Sequence, residues 1–478
     1  MLPKLQILIY MKIKHIDLCV DEKDPFINCQ LDRVTYAQIL TDTVSIYSDG
    51  FVLAINNEWG TGKTTFVKMW QQYLKNEGYN TLYFNAWEND FDANPLVAIM
   101  SELKTLTNSN DKIFNSVIQK GAILTKKILP TVLKAIAKNY IDTDSIVELI
   151  EKASESTTEI LEDEIKNYSN KKKSVKDFKG ELEKFIIKTN ENKPLVFIID
   201  ELDRCRPNYA VEVLEQIKHF FSVKGIVFVL SIDKTQLGHA IKGVYGNNEI
   251  NSDEYLRRFI DLEYSIPKPS TDKFCKYLYQ YFSFDDFFLS NMRSKNSELS
   301  GDNSDFLRMA AMLFDENNLT LRQQEKIFGQ TRLIISSFKE NHYLFPHLFI
   351  FLIYLKTMKP DLYMKIETNS ISTQELSNSF SDTFPIKKQD EYNVNLLYIE
   401  AMLLTFYNNQ KDYDVKEKLY EVDSENKVTS MIKSKLERNS RSTLADSLQY
   451  VSSNFRYRNY KLKSLLSKIN LTEPLVIN

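Results

Sequence analysis

Between residues 31 and 268, short apolar runs alternate with stretches whose apolar residues return every three or four positions. These are the signatures of buried strands and of amphipathic helices. Residues 31–47 place Val34, Ala37, Leu40, Val44 and Tyr47 at helical spacing. An amphipathic helix is therefore predicted there. It leads into residues 51–55, a continuous apolar run of the kind that suits a strand buried on both faces. Residues 66–74 read as a helix, 79–87 as a second strand with a polar and aromatic tip, and 95–103 as another helix. The rhythm resumes with a strand at 194–200, a helix at 209–221 and a strand at 225–233. Strand and helix in turn predict an α/β fold on a parallel sheet, whose ligand belongs at the carboxyl ends of the strands.

The pattern changes twice. From 104 to 190 it reads as long, charged helices: residues 120–139 are amphipathic with Pro130 among them, and 151–190 are rich in Glu and Lys, including Lys171, Lys172 and Lys173. A solvated helical insertion in the sheet domain is expected, with a membrane-surface or partner-binding role for its basic helix as the alternative. Beyond about residue 270 nothing alternates like a strand, and helices rich in Phe, Leu and Tyr are predicted. The expected parts are an N-terminal segment (1–30), the sheet core (31–103 with 191–268), the insertion (104–190), a helical lid or bundle (269–365) and an all-helical C-terminal region (366–478).

The apolar run at 348–355 is far shorter than the roughly 20 residues that span a bilayer, so it reads as a core helix. Residues 5–11 are too short for a secretory leader, and no small-residue cleavage site follows them. A soluble, cytoplasmic protein with no transmembrane span is expected. A hydrophobic share of 43% with 26% charged residues fits a packed protein, and a net charge of −3 argues against wholesale coating of nucleic acid. The four cysteines form no CxxC pair and the five histidines are dispersed, so neither a disulfide framework nor a zinc cluster is supported.

Chemistry concentrates at Asn57, Glu58, Trp59, Gly60, Thr61, Gly62, Lys63, Thr64 and Thr65, between the first strand and its helix. Gly60 and Gly62 let the backbone curl so that several N–H groups face one anion at the positive end of a helix dipole. Lys63 is placed to reach the β- and γ-phosphates of ATP, and the Thr64 hydroxyl to coordinate Mg2+. Asn57 stands where the usual P-loop pattern has Gly; of the other residues, Asn best tolerates left-handed backbone angles. Farther on, the strand at 194–200 ends in Asp200, expected to hold Mg2+ through water, and Glu201, expected to polarise the attacking water. Ser231 ends the next strand, where a hydroxyl can sense the γ-phosphate. The bland alternatives are a Gly-rich turn and an acidic loop start.

Together these residues resemble the KAP family of P-loop NTPases, a branch of the AAA-related ATPases. The resemblance rests on residues 58–65, on Phe84, Asn85, Ala86 and Trp87, on 199–207, on 229–233 and on 255–260 ahead of Pro267, and it covers roughly 30 to 340. Three departures stand out: Asn57 for the first Gly, Glu201 where Asp is usual, and a polar insertion where family members often carry membrane spans. The resemblance implies that Arg257 or Arg258 serves as an arginine finger in trans, which requires a homo-oligomer, and that Arg322 is a sensor arginine of the lid. It also implies a bacterial antiphage defence ATPase working with a partner effector protein, since no nuclease, protease or deaminase constellation is visible. The alternatives are a non-hydrolysing nucleotide-gated scaffold and a nucleic-acid-stimulated motor. The second draws on residues 455–463, where aromatic and basic side chains such as Arg456, Arg458 and Lys461 interleave.

Overall fold

The computed structural model describes residues 20–27, 29, 31–47, 50–91, 95–107, 111–124, 160–189, 193–218, 223–246, 250–384, 390–439, 442–454 and 457–471. The run at 5–11, most of 120–139, and Phe455 and Arg456 lie outside the described residues. The chain forms two compact units, one spanning Asp17–Lys268 and the other containing Pro269–Asn478.

The first unit is an α/β structure. Its strands are β1 (Phe51–Asn56), β2 (Thr81–Asn85), β3 (Leu195–Asp200), β4 (Ile226–Ile232) and β5 (Leu262–Tyr264), ordered β2-β3-β4-β1-β5 and all parallel. β5 has only three residues, two of them exposed, and so carries no apolar run by which the sequence could announce it. The helices are α1 (Val34–Ile46), α2 (Lys63–Asn76), α3 (Pro95–Lys104), α4 (Lys112–Leu124), α5 (Ile160–Thr189), α6 (Pro207–Lys218), α7 (Lys234–Tyr245) and α8 (Ser252–Leu256).

Because successive strand residues face opposite sides, β1 serves two cores at once. Leu53 and Ile55 join Ala37, Leu40 and Val44 of α1 and Phe66, Trp70 and Leu74 of α2 on one face. Val52 and Ala54 pack on the other face with residues of α3, α6 and α7. That second core also takes Phe114, Val117 and Ile118 from α4 and Phe178, Leu182, Phe185 and Ile186 from α5. The expected solvated insertion is corrected at both its ends, which the sheet uses as covering helices. The apolar positions responsible are spaced three and four apart within otherwise charged sequence.

Among the described residues the second unit is helical apart from one hairpin, Tyr420–Val422 with Val428–Ser430, where the sequence predicted helices alone. Local turn chemistry closes it: the Asp423 carboxylate accepts from the N–H groups of Glu425 (2.9 Å) and Lys427 (2.8 Å), and Asn426 is left-handed. The helix Pro346–Met358 buries all of residues 348–355, as the apolar run predicts, and none of the described helices is long and apolar enough to cross a membrane. The basic and aromatic stretch near the end does not offer its described aromatics outward. Tyr460 packs against Phe345 (ring centroids 4.5 Å apart) and Phe406 (4.9 Å), and Tyr457 is buried beside the same pair.

Candidate functional site

Parallel register sets four residues side by side at the carboxyl end of the sheet. Asn85 of β2 lies opposite Asp200 of β3, Asp200 opposite Ser231 of β4, and Ser231 opposite Ile55 of β1. The loop that leaves β1 therefore starts beside Ser231, with Asp200 one strand farther on.

In that loop Gly60 (φ +78°) and Gly62 (φ +80°) are left-handed, and α2 begins immediately afterwards at Lys63. Asn57 is not among the left-handed residues. Its amide instead clamps the peptide of Ile266, donating to the carbonyl at 2.9 Å and accepting from the N–H at 2.9 Å. The expectation of a glycine-like backbone at Asn57 is thus replaced by a side-chain role, anchoring the loop to the segment after β5. Thr61 Oγ1 donates to the Glu58 carbonyl at 2.8 Å. The Lys63 ammonium folds back and donates to the carbonyls of Asn57 and Glu58, the latter at 3.2 Å. Burial lowers its pKa, and the charges of Asp203, Asp233 and Asp200 oppose that shift.

Across from the loop, the buried Asp200 accepts from Tyr83 Oη (2.9 Å) and from the Glu201 N–H (2.9 Å). Glu201 itself has φ +61°, a strained angle for a residue with a Cβ, of the order of 1–3 kcal/mol. Its Oε1 pairs with Arg204 Nη1 at 2.6 Å and its Oε2 accepts from Asn85 Nδ2 at 3.3 Å. Burial raises the Glu201 pKa, the Arg204 charge pulls it back, and Asp200 adds to the rise. Arg204 lies 6.0 Å from the centre of the exposed Trp87 ring. The Trp59 indole N–H donates to Asp203, joining the two sides of the site.

The chain matches the family model described as the KAP family P-loop domain over residues 33–402, well over half its length. It belongs to the KAP family. Among curated proteins nothing matches. Among solved structures it is similar to the ORC2 protein of Aeropyrum pernix in ADPNP–ADP complexes, at 13% identity, covering 93% of this chain and 86% of that one with a TM-score of 0.33. It is also similar to PCH-2 of C. elegans, at 13% identity, covering 70% of this chain and 68% of that one with a TM-score of 0.28.

The residues of this KAP-family site suit a nucleotide triphosphate with Mg2+. Two left-handed glycines shape a cradle at a helix N-terminus, and Ser231 Oγ is buried with no partner among the described residues. Asp200 and Thr64 offer the hard oxygen donors that Mg2+ accepts beside phosphates. Of the arginines, Arg257 and Arg258 are exposed just after α8, Arg257 pairing with Glu254 at 3.0 Å. Arg322 is exposed near the start of the helix Leu321–Ile335 in the other unit. Sequence reasoning assigned no role to Tyr83, Asn85, Asp203 or Arg204, whose partners are brought in by strand register and the turn after β3. It also passed over Arg33, which occupies the N-cap of α1, a position that favours Ser, Thr, Asp or Asn.

Proposed function

We propose that the chain is an ATPase whose catalytic centre lies at the carboxyl ends of β1, β3 and β4, and that its nucleotide cycle drives assembly or activation of a partner effector. The observation that carries this reading is Glu201, a carboxylate in left-handed backbone directly after the buried Asp200, held by Asn85 and Arg204, with burial raising its pKa above the ordinary carboxylate value. The N–H groups of residues 60–65 and the Lys63 ammonium bind the phosphates. Thr64 and Asp200 would hold Mg2+, which when bound supplies charge neutralisation at the phosphates. Glu201 orients a water and takes its proton at a carboxylate oxygen, the Asn85 amide keeps Oε2 in place, and the hold of Arg204 on Oε1 tempers the base. Ser231 Oγ is left to meet a phosphate oxygen. Arg257 or Arg258 acts in trans as an arginine finger, which makes the working form a homo-oligomer, and Arg322 acts as a sensor.

The cellular role in this reading is antiphage defence in a bacterial cytoplasm, supported by the resemblance to KAP proteins of phage exclusion. The effector is a separate protein. A second reading, a nucleotide-gated scaffold with negligible turnover, is favoured by the Arg204–Glu201 ion pair, which occupies the base. The inward packing of Tyr457 and Tyr460 weakens the nucleic-acid motor. Phosphate release from ATP by wild type beside Glu201→Gln, with and without DNA or RNA, tests all three. Turnover ~10²–10⁴-fold lower in the variant, with ADP affinity kept and no nucleic-acid stimulation, is expected. Both proteins equally inactive while still binding ATP leaves the scaffold, and equal, substantial turnover removes Glu201 as the base.

A further inference from the structure

We infer that Arg33 is a positioning residue for phosphate binding, its guanidinium gripping the back of the P-loop so that the loop's N–H groups turn the other way. The inference rests on the nucleotide reading of this site. Arg33 Nη1 donates to the Gly62 carbonyl at 2.9 Å and Nη2 to the Thr61 carbonyl at 2.9 Å, and the side chain is buried. In a trans peptide the N–H points opposite to the C=O. Fixing the carbonyls of Thr61 and Gly62 toward Arg33 therefore fixes the N–H groups of Gly62 and Lys63 away from it, before any ligand arrives. Preorganised donors of this kind cost nothing to reorient on binding.

Local structure gives something up for this contact. Arg33 stands at the N-cap of α1 yet makes no side-chain cap bond, and Asp32 before it is left-handed at φ +53°. A helix start without a capping side chain, entered through a strained residue, is a local rule broken where a tertiary contact is gained. The fit is close from the other side as well. A Cβ on Gly62 would meet Arg33 Nη1 at 3.2 Å, a tight contact, while the φ of +80° is what favours glycine there. The two donors of one planar fork meet two successive carbonyls, a geometry that a lysine cannot copy.

The experiment is titration calorimetry of the full chain with ADP and Mg2+, comparing wild type, Arg33→Ala and Arg33→Lys, each with its apo melting temperature. Affinity in Arg33→Ala is expected to fall about tenfold to a hundredfold, to recover on adding millimolar guanidinium but not equimolar NaCl, and to fall less in Arg33→Lys. Unchanged affinity in Arg33→Ala overturns the inference. So does a loss that guanidinium does not restore and that tracks a lowered melting temperature, because Arg33 then serves the fold alone. If Arg33→Ala does not fold, Arg33→Lys decides, wild-type affinity there overturning the inference and a partial loss at an unchanged melting temperature supporting it. Wild type that binds no nucleotide sinks the underlying reading of the site instead.

Discussion

Lys63 in the sheet unit and Arg293 in the helical unit are both buried cations, and they are partnered in opposite ways. Arg293 has a carboxylate, Asp302, and also donates to the carbonyls of Glu340 (2.9 Å) and His342 (3.0 Å) while its guanidinium sits 4.5 Å from the Phe287 ring centre. Lys63 meets only the carbonyls of its own loop, and among the described residues no carboxylate pairs with it directly. In the helical unit both oxygens of the buried Glu400 accept hydroxyl donors, from Ser377 (2.5 Å) and Ser434 (2.6 Å). Beside the P-loop, Ser231 Oγ has no partner among the described residues, as is also true of the buried Ser381 and Thr405 hydroxyls of the helical unit, so the contrast rests on the two cations. Charge buried for the sake of the fold is consumed by the fold. In the nucleotide reading proposed above, the charge kept for a ligand is held in place and left under-neutralised.

Three substitutions can break or sharpen this contrast. Asp302→Ala strands the Arg293 charge and is expected to cost about 3–5 kcal/mol of stability, read from denaturant unfolding of the full chain, while ADP affinity stays at the wild-type value. A silent Asp302→Ala would put the two cations on the same footing.

Glu400→Gln tests the helical unit by pH. Burial pushes the Glu400 carboxyl up to about 7 from its ordinary 4.5, against the pull of the two serine hydroxyls, with Glu437 adding to the rise. The folded state therefore holds the proton more tightly than the unfolded chain. The stabilisation is complete below the ordinary value and is lost as pH rises toward and past 7, for a total of roughly 3 kcal/mol. Stability of wild type should fall between about pH 4.5 and pH 7, and that of Glu400→Gln should stay level across the same range. A wild-type stability with no slope there would show that Glu400 stays charged in the fold.

Lys63→Ala is the mirror image of Asp302→Ala. Nucleotide affinity is expected to fall about tenfold to a hundredfold by calorimetry, with thermal stability kept or raised because no counter-charge is stranded. A large loss of stability with affinity intact would mean that Lys63, like Arg293, serves the fold.

Some of this was legible in the chain alone, and the reason differs by element. β1, β3 and β4 are announced by continuous apolar runs because both faces of a central parallel strand are covered. β5 is not, because a three-residue edge strand needs no such run. The glycines at 60 and 62 and the Asp200–Glu201 pair could be read because the demand on each is local, a backbone angle in one case and a strand end in the other.

Asn57 marks where local reading stops. Its identity suggested a backbone tolerance, and the structure uses its amide to hold Ile266, 209 positions away. The same holds for the ends of the insertion, where the charge of the sequence concealed a few aromatic and aliphatic residues that the sheet requires. Sequence by itself determined the period of β1, β3, β4 and the helices beside them, the cradle glycines and the acidic strand end, since these follow from the stereochemistry of neighbours. Only the tertiary structure decided that Arg33 backs the P-loop, that Arg204 and Asn85 share Glu201, and that Tyr457 and Tyr460 face inward. Each of those depends on which distant segment arrives at hydrogen-bonding or packing distance, and no spacing along the chain encodes that arrival.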